Sequence, residues 1–210
     1  MPTTLTYLFD PLCGWCYGAS QALPDLQAVP GLSWNLLPTG LFAGDGARPM
    51  DAAFADYAWS NDQRIAQLSG AVFSTAYRDG VLKDTTRRFD STLATLALTA
   101  VARSAPEQGL AALKAIQQAR YIDAADITDR PTLVHVLKTL GLLDAAAQLD
   151  ALGPELLAAT QQQMAQGRAL MRAVGATGVP TFVVDREGKR QILSTSHLFA
   201  DPAAFAQALA

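Results

Sequence analysis

Polar and apolar residues alternate at the start of the chain and then run apolar, Thr4-Leu-Thr-Tyr-Leu-Phe9. A run rich in Thr, Tyr and Phe predicts a short strand, ending at Asp10-Pro11. Residues 14 to about 29 read as a helix, and Pro24 inside it predicts a kink or an early end. Leu32 to Leu37 alternates again and predicts a second strand, closed by Pro38. The opening is therefore β-α-β, and a crossover of this size favours two parallel strands joined right-handedly.

From about Phe42 to Gly153 the strand signals largely vanish. Gly44, Gly46 and Pro49 mark a loop. Helical patterns follow at 51–69, 90–103, 107–121, 131–140 and 144–151, while 72–89 fits neither period. Asp129 ahead of Pro131 marks a helix start, and Gly141 after Leu140 marks an end. Pro154 opens a long helix to about Val174. In it Leu157, Thr160, Met164, Gly167, Met171 and Val174 recur at spacings of three and four, which predicts one buried stripe. Two methionines there could suggest a cofactor box, but Met is common core filler. The end returns to β: Thr181–Val184, a turn over 185–189, then Arg190–Leu193, a hairpin. Asp201 caps a last helix predicted over 203–209. The long helix and hairpin complete the sheet begun by the first two strands, so the fold class is α/β.

Half of the 210 residues are hydrophobic and 17% are charged, which excludes a disordered chain. Net charge is −3 with no Lys/Arg block, so no nucleic-acid footprint is expected. No apolar run approaches the roughly 18 residues of a membrane span, and no membrane association is expected. The first residues show no cationic region followed by an apolar one. A secretory leader is not expected, and the location expected is cytoplasmic.

The two cysteines, Cys13 and Cys16, share one Cys-Gly-Trp-Cys tetrapeptide that follows a strand and opens a helix. Unpaired N–H groups and the dipole at a helix start favour a thiolate at Cys13 and lower its pKa from about 8.5 toward neutrality. Cys16 falls in the first turn, close enough to close or reopen a disulfide. An exposed nucleophile with a resolving thiol beside it is what dithiol–disulfide exchange needs. Three other readings compete. A structural disulfide closing so short a ring would contribute at most roughly 2 kcal/mol. A Cys2His2 zinc site would need His135 and His197, which are not spaced as zinc ligands usually are. Two inert core thiols remain a third. Far along the chain, Gly178-Val179-Pro180 stands immediately before an apolar strand, where a proline is unusual. An ordinary trans proline could start that strand. A cis Val179–Pro180 bond would turn the chain sharply and free the Val179 backbone.

The two motifs together, Cys-x-x-Cys on a helix and Gly-Val-Pro-Thr-Phe before a hairpin and helix, resemble the thioredoxin fold. Phe9-Asp-Pro-Leu-Cys-Gly-Trp-Cys-Tyr-Gly18 is similar to the DsbA-like branch, especially its FrnE-like members. The resemblance implies a thioredoxin fold with an inserted all-helical domain: residues 1–44 and 155–210 forming the first, 45–154 the insertion. It implies a thiol–disulfide oxidoreductase acting on disulfide- or thiol-containing proteins, with glutathione a further thiol partner and no metal or organic cofactor. Cys13 would attack and Cys16 resolve. Pro180 would be the cis-proline beside them, and Val179 would offer its backbone to an extended substrate. Trp15 and Tyr17 would form an apolar rim or pack on a neighbouring helix. Asp10 would move protons or cap a turn, and His197 would be a bystander. Gly14-Trp15 is neither the Gly-Pro of thioredoxin nor the Pro-His of DsbA, so the preferred redox direction does not transfer. The same branch holds glutathione-dependent isomerases and kappa-type glutathione transferases, in which a resolving Cys16 has no task. A non-enzymatic, chaperone-like binding module is the third possibility.

Overall fold

A computed structural model describes residues 3–207 and 209, with the side chains of 196, 197, 200 and 202 outside that description. Strand β1 (Thr3–Phe9) pairs in parallel with β2 (Leu32–Pro38). Between them lie two short helices, α1 (Gly14–Ala19) and α2 (Leu23–Gln27), rather than one. Pro24 stands in the first turn of α2, where its missing N–H costs nothing, so it starts a helix instead of kinking one. Ser20 closes α1, its hydroxyl donating to the Tyr17 carbonyl at 2.6 Å.

The strands of the C-terminal hairpin, β5 (Thr181–Arg186) and β6 (Lys189–Leu193), extend the sheet to the order β2-β1-β5-β6. The turn is tighter than the sequence pattern suggests. It is the pair Glu187-Gly188, both at positive φ, a two-residue link whose twist matches the strands. β1 is central and covered on both faces, which explains its apolar run Tyr7-Leu8-Phe9. Leu8, Leu37 and Val183 face the second half of the long helix α9 (Pro154–Val174), at Leu170, Met171 and Val174. Leu5, Tyr7, Phe9, Phe182 and Val184 face the other way, into the main core.

Helices α3 (Ala52–Ser69), α5 (Thr92–Ser104), α6 (Gly109–Tyr121), α7 (Arg130–Thr139) and α8 (Leu143–Ala151) fall within two residues of their sequence patterns. Asp129 caps α7, accepting from the Thr132 N–H at 3.2 Å. The ambiguous stretch holds a short turn of helix, α4 (Thr75–Tyr77), continuing into a wider π turn over Arg78–Leu82. A two-residue ladder joins β3 (Arg48–Pro49) to β4 (Arg88–Phe89), so the stretch between β2 and α9 is not purely helical. The buried cluster runs without a gap from the sheet into Leu96, Val101, Ile116, Leu133 and Leu149 of these helices.

Two further expectations change. The stripe on α9 is not wholly buried: Leu157 is 43% exposed, and Leu156 takes the inward place beside Thr160 and Gly167. Leu157, Met164 and Met171 instead line a groove of about 760 Å³ against residues 39–46. The helix comes so close to β2 at Gly167 that a Cβ there would lie 2.6 Å from the Pro38 carbonyl oxygen. At the C-terminus an unexpected helix, α10 (Thr195–Ala200), precedes α11 (Pro202–Gln207). Leu198 buries itself and Phe199 packs on Trp15, two adjacent positions that leave no period to read. The Asp201 carboxylate does cap α11, accepting from the Ala204 N–H at 2.9 Å.

Candidate active site

The β1–β5 register decides what meets Cys13. Leu8 lies opposite Thr181, so Pro180 falls beside Phe9, where β1 gives way to the loop that ends in Cys13. The Val179–Pro180 peptide bond is cis. The Cys13 thiol donates to the Val179 carbonyl at 3.6 Å, across 166 positions of sequence.

Cys13 is the N-cap of α1, with extended backbone (φ −77°, ψ 116°). Both cysteines are thiols. Cys13 is 7% exposed, much less than the sequence pattern suggests, but Cys16 is sealed at 0%, so Cys13 is the one that reaches the surface. Burial, then the hydrogen bond with Cys13, pushes the Cys16 thiol well up from its ordinary range. Cys16 thus stays protonated until a neighbouring group or the exchange itself draws its proton away.

Four side-chain bonds hold the loop between β1 and α1, beside the backbone bond from the Cys13 N–H to the Asp10 carbonyl at 3.1 Å. Asp10 Oδ1 accepts from the Leu12 N–H at 2.9 Å. Its Oδ2 accepts from the Phe42 N–H at 3.0 Å and from the Ser91 hydroxyl at 2.8 Å. The Tyr121 hydroxyl donates to the Leu12 carbonyl at 2.8 Å. Asp10 is therefore a turn residue that ties this loop to Phe42 and Ser91. Burial raises its pKa, and these bonds pull it back down. Below the loop, the Tyr7 hydroxyl donates to the Cys16 carbonyl at 3.2 Å.

The aromatic residues divide. Trp15 is half-buried and packs edge-on against Phe199, ring centroids 5.5 Å apart, with Arg64 5.8 Å over its face. Tyr17 is not a rim: it is 2% exposed, stacks on Tyr121 at 4.6 Å and donates to the Val72 carbonyl at 3.1 Å. His135 is exposed on α7, and no three metal-ligating side chains cluster among the described residues. The expectation for His197 falls on a side chain outside the description.

A cavity of about 230 Å³ opens beside Cys13, lined by Leu12, Trp15, Phe42, Phe54, Tyr77 and Phe89 among others. At its base lies Asp62 of α3, 4% exposed. Its Oδ2 accepts from the Tyr77 hydroxyl at 3.1 Å. Burial raises Asp62 to about 7, against the Tyr77 hydrogen bond and the Arg120 charge. A Cβ on Gly14 would lie 2.5 Å from Asp62 Oδ1, so only glycine lets α1 and α3 approach this closely. Asp62 is not among the candidates that the cysteine and proline motifs mark out. The signal is there: it sits seven residues after Ala55 and three before Ile65, the other buried residues of α3, a charged residue in an apolar stripe.

The family model for the DSBA-like thioredoxin domain matches residues 4–209. Among solved structures, the cytosolic disulfide reductase DsbM from Pseudomonas aeruginosa is 38% identical, with a TM-score of 0.87 over 98% of this chain and 96% of that one. The same protein with GSH superposes at 0.84, again at 38% identity over 98% and 96% of the two chains. A putative protein disulfide isomerase from Nitrosomonas europaea, 20% identical, shares the fold at 0.81 over 100% and 96%. No curated protein sequence matches. No helix among the described residues is long and apolar enough to cross a membrane. With a family model spanning nearly its whole length, the chain belongs to the DSBA-like thioredoxin domain family of thiol–disulfide oxidoreductases.

Proposed function

We propose that this protein is a cytoplasmic thiol–disulfide oxidoreductase working through Cys13-Gly-Trp-Cys16, in the manner of the FrnE-like members of its family. The observation that carries the reading is the Cys13 thiol at the mouth of the site, 3.6 Å from the Val179 carbonyl, with a fully buried Cys16 one turn behind it. The Cys13 thiolate attacks one sulfur of a substrate disulfide and expels the other as a thiolate. Cys16 then loses its proton and attacks the Cys13 sulfur, releasing the second substrate thiolate and leaving a Cys13–Cys16 disulfide. Among the described residues nothing accepts from the Val179 N–H, which leaves it for an extended substrate segment. Pro180 shapes that ledge, and Trp15 borders the cavity where a side chain next to the substrate cysteine would rest. The 38%-identical reductase was solved with GSH, which supports glutathione as the thiol that returns Cys13–Cys16 to the dithiol. The division at 44/45 and 154/155 into a thioredoxin-like domain and an insertion belongs to the same reading.

Insulin reduction tests it. The wild type precipitates insulin chains in a glutathione-coupled assay, Cys13→Ser is inactive, and Cys16→Ser accumulates a mixed disulfide at Cys13. Full activity in Cys13→Ser would end the proposal. Glutathione conjugation that survives Cys16→Ser would replace it with a transferase.

A further inference from the structure

Asp62 is an acid where acids are costly. An isolated carboxylate loses most of its hydration when buried and usually gains a cation or several donors in return. Asp10 has three donors. Among the described residues Asp62 has one, the Tyr77 hydroxyl, and no salt bridge. Its other oxygen faces the Gly14 backbone, one residue from the Cys13 sulfur. The nearest cation is Arg120 of α6, itself 2% exposed and packed against rings rather than carboxylates: its guanidinium lies 5.3 Å from the Tyr77 ring and 5.3 Å from that of Phe89. Its Nε has no hydrogen-bond partner.

The groups facing Asp62 are few. Cys13 comes from the start of α1, Tyr77 from α4, and Arg120 and Tyr121 from α6. Tyr57 lines the same cavity from α3. Arg64, also on α3, is turned over Trp15. Tyr77 and Tyr121 are held far from ionisation by burial. Among the described residues lining this cavity, the Asp62 carboxyl and the Cys13 sulfur are the groups besides the tyrosines that can carry a negative charge, and one buried guanidinium stands behind them. Two anions lining one small apolar cavity oppose each other.

We propose that Asp62 and Cys13 share one negative charge, so that forming the Cys13 thiolate moves a proton onto Asp62. This rests on the redox reading of Cys13. The balance is internal: Cys13–SH and Asp62–COO⁻ become Cys13–S⁻ and Asp62–COOH. When Cys13 enters a disulfide its charge is gone, and Asp62 ionises against Arg120 again. Asp62 is thus a positioning residue. It touches no substrate sulfur; it sets how much thiolate is present and hence how strongly the dithiol form is favoured. Held ionised, it disfavours the thiolate and makes the couple more reducing.

The test follows alkylation of Cys13 by iodoacetamide against pH in a Cys16→Ser background, and the dithiol–disulfide ratio of the otherwise unmodified protein in glutathione buffers. Asp62→Asn keeps the shape and an acceptor for Tyr77 but cannot ionise. Above neutral pH it should be alkylated about tenfold faster than its parent, the difference closing toward pH 5 as Asp62 protonates. At fixed glutathione potential it should shift the ratio toward the dithiol by about tenfold. Parallel pH profiles with an unchanged ratio overturn the proposal. Tyr77→Phe is the second variant: it keeps the carboxylate and removes the bond that favours its ionised form, so the Asp62 inflection should move to higher pH. An unmoved inflection also overturns it. Insulin reduction by the wild type separates the two ideas. A wild type that reduces insulin while both variants match it sinks the shared charge alone. A wild type that reduces nothing sinks the redox reading, whatever Asp62 does.

Discussion

Two buried aspartates flank the same dithiol and are held in opposite ways. Asp10, at the end of β1, is fully enclosed and its oxygens are taken by Leu12, Phe42 and Ser91. Asp62, inside α3, is almost as enclosed but has a single hydroxyl donor. Burial pushes both upward, yet at Asp10 three donors stabilise the ionised form, while at Asp62 the push carries it to about 7. The number of donors, more than the depth of burial, separates a carboxylate that fastens a loop from one free to trade protons near neutrality.

Breaking the first of these should have the largest effect. Asp10→Ala leaves two buried N–H groups and a hydroxyl without their acceptor, which should cost roughly 4 kcal/mol, read as a lower urea midpoint at unchanged slope. A loss under about 1 kcal/mol would mean water replaces the carboxylate and the contrast is wrong. The second carries a sign. Because Asp62 takes up its proton more readily folded than unfolded, the stability it contributes is complete below its ordinary range near pH 4. That contribution is lost as pH rises through about 7. Asp62→Asn should therefore gain roughly 3 kcal/mol relative to wild type between about pH 4 and pH 8 in urea melts. Asp10→Asn should show no such gain of comparable size.

Smaller changes sharpen the comparison. Gly14→Ala places a methyl against Asp62 Oδ1 and 3.2 Å from Ile65 Cδ1, an overpacking cost of about 2 kcal/mol. In an Asp62→Ala background that cost should fall by half or more, a non-additivity a double-mutant cycle in urea would show. Tyr121→Phe removes the hydroxyl that holds the Leu12 carbonyl and should cost about 1 kcal/mol in the same experiment. It should raise Cys13 alkylation slightly by loosening the loop.

Much of this was legible in the sequence where the pattern was periodic or the chemistry local. The apolar run at Tyr7–Phe9 gave away a strand, the Cys13–Cys16 spacing a dithiol, and Pro154 the start of α9. What stayed hidden depends on approach. Nothing in Gly14-Trp15-Cys16-Tyr17 announces that Tyr17 turns inward onto Tyr121, because its partner comes from a helix far along the chain, and stacking partners have no sequence period. Leu156 rather than Leu157 points inward, on the face of α9 that also carries Thr160 and the close approach at Gly167. Asp62 was visible as a misfit in an apolar stripe, but its neighbours Tyr77, Arg120 and Gly14 come from three separate elements, and only their meeting gives the misfit a meaning.

The pairing of β1 with β5 has a consequence for biosynthesis. The wall opposite Cys13 is built from residues near 180, so a ribosome must deliver most of the polypeptide before the dithiol has its ledge. Until then the nascent chain carries two neighbouring sulfhydryls with no groove to select what they meet. Selectivity toward partners is acquired late in translation, all at once, when the last hairpin docks.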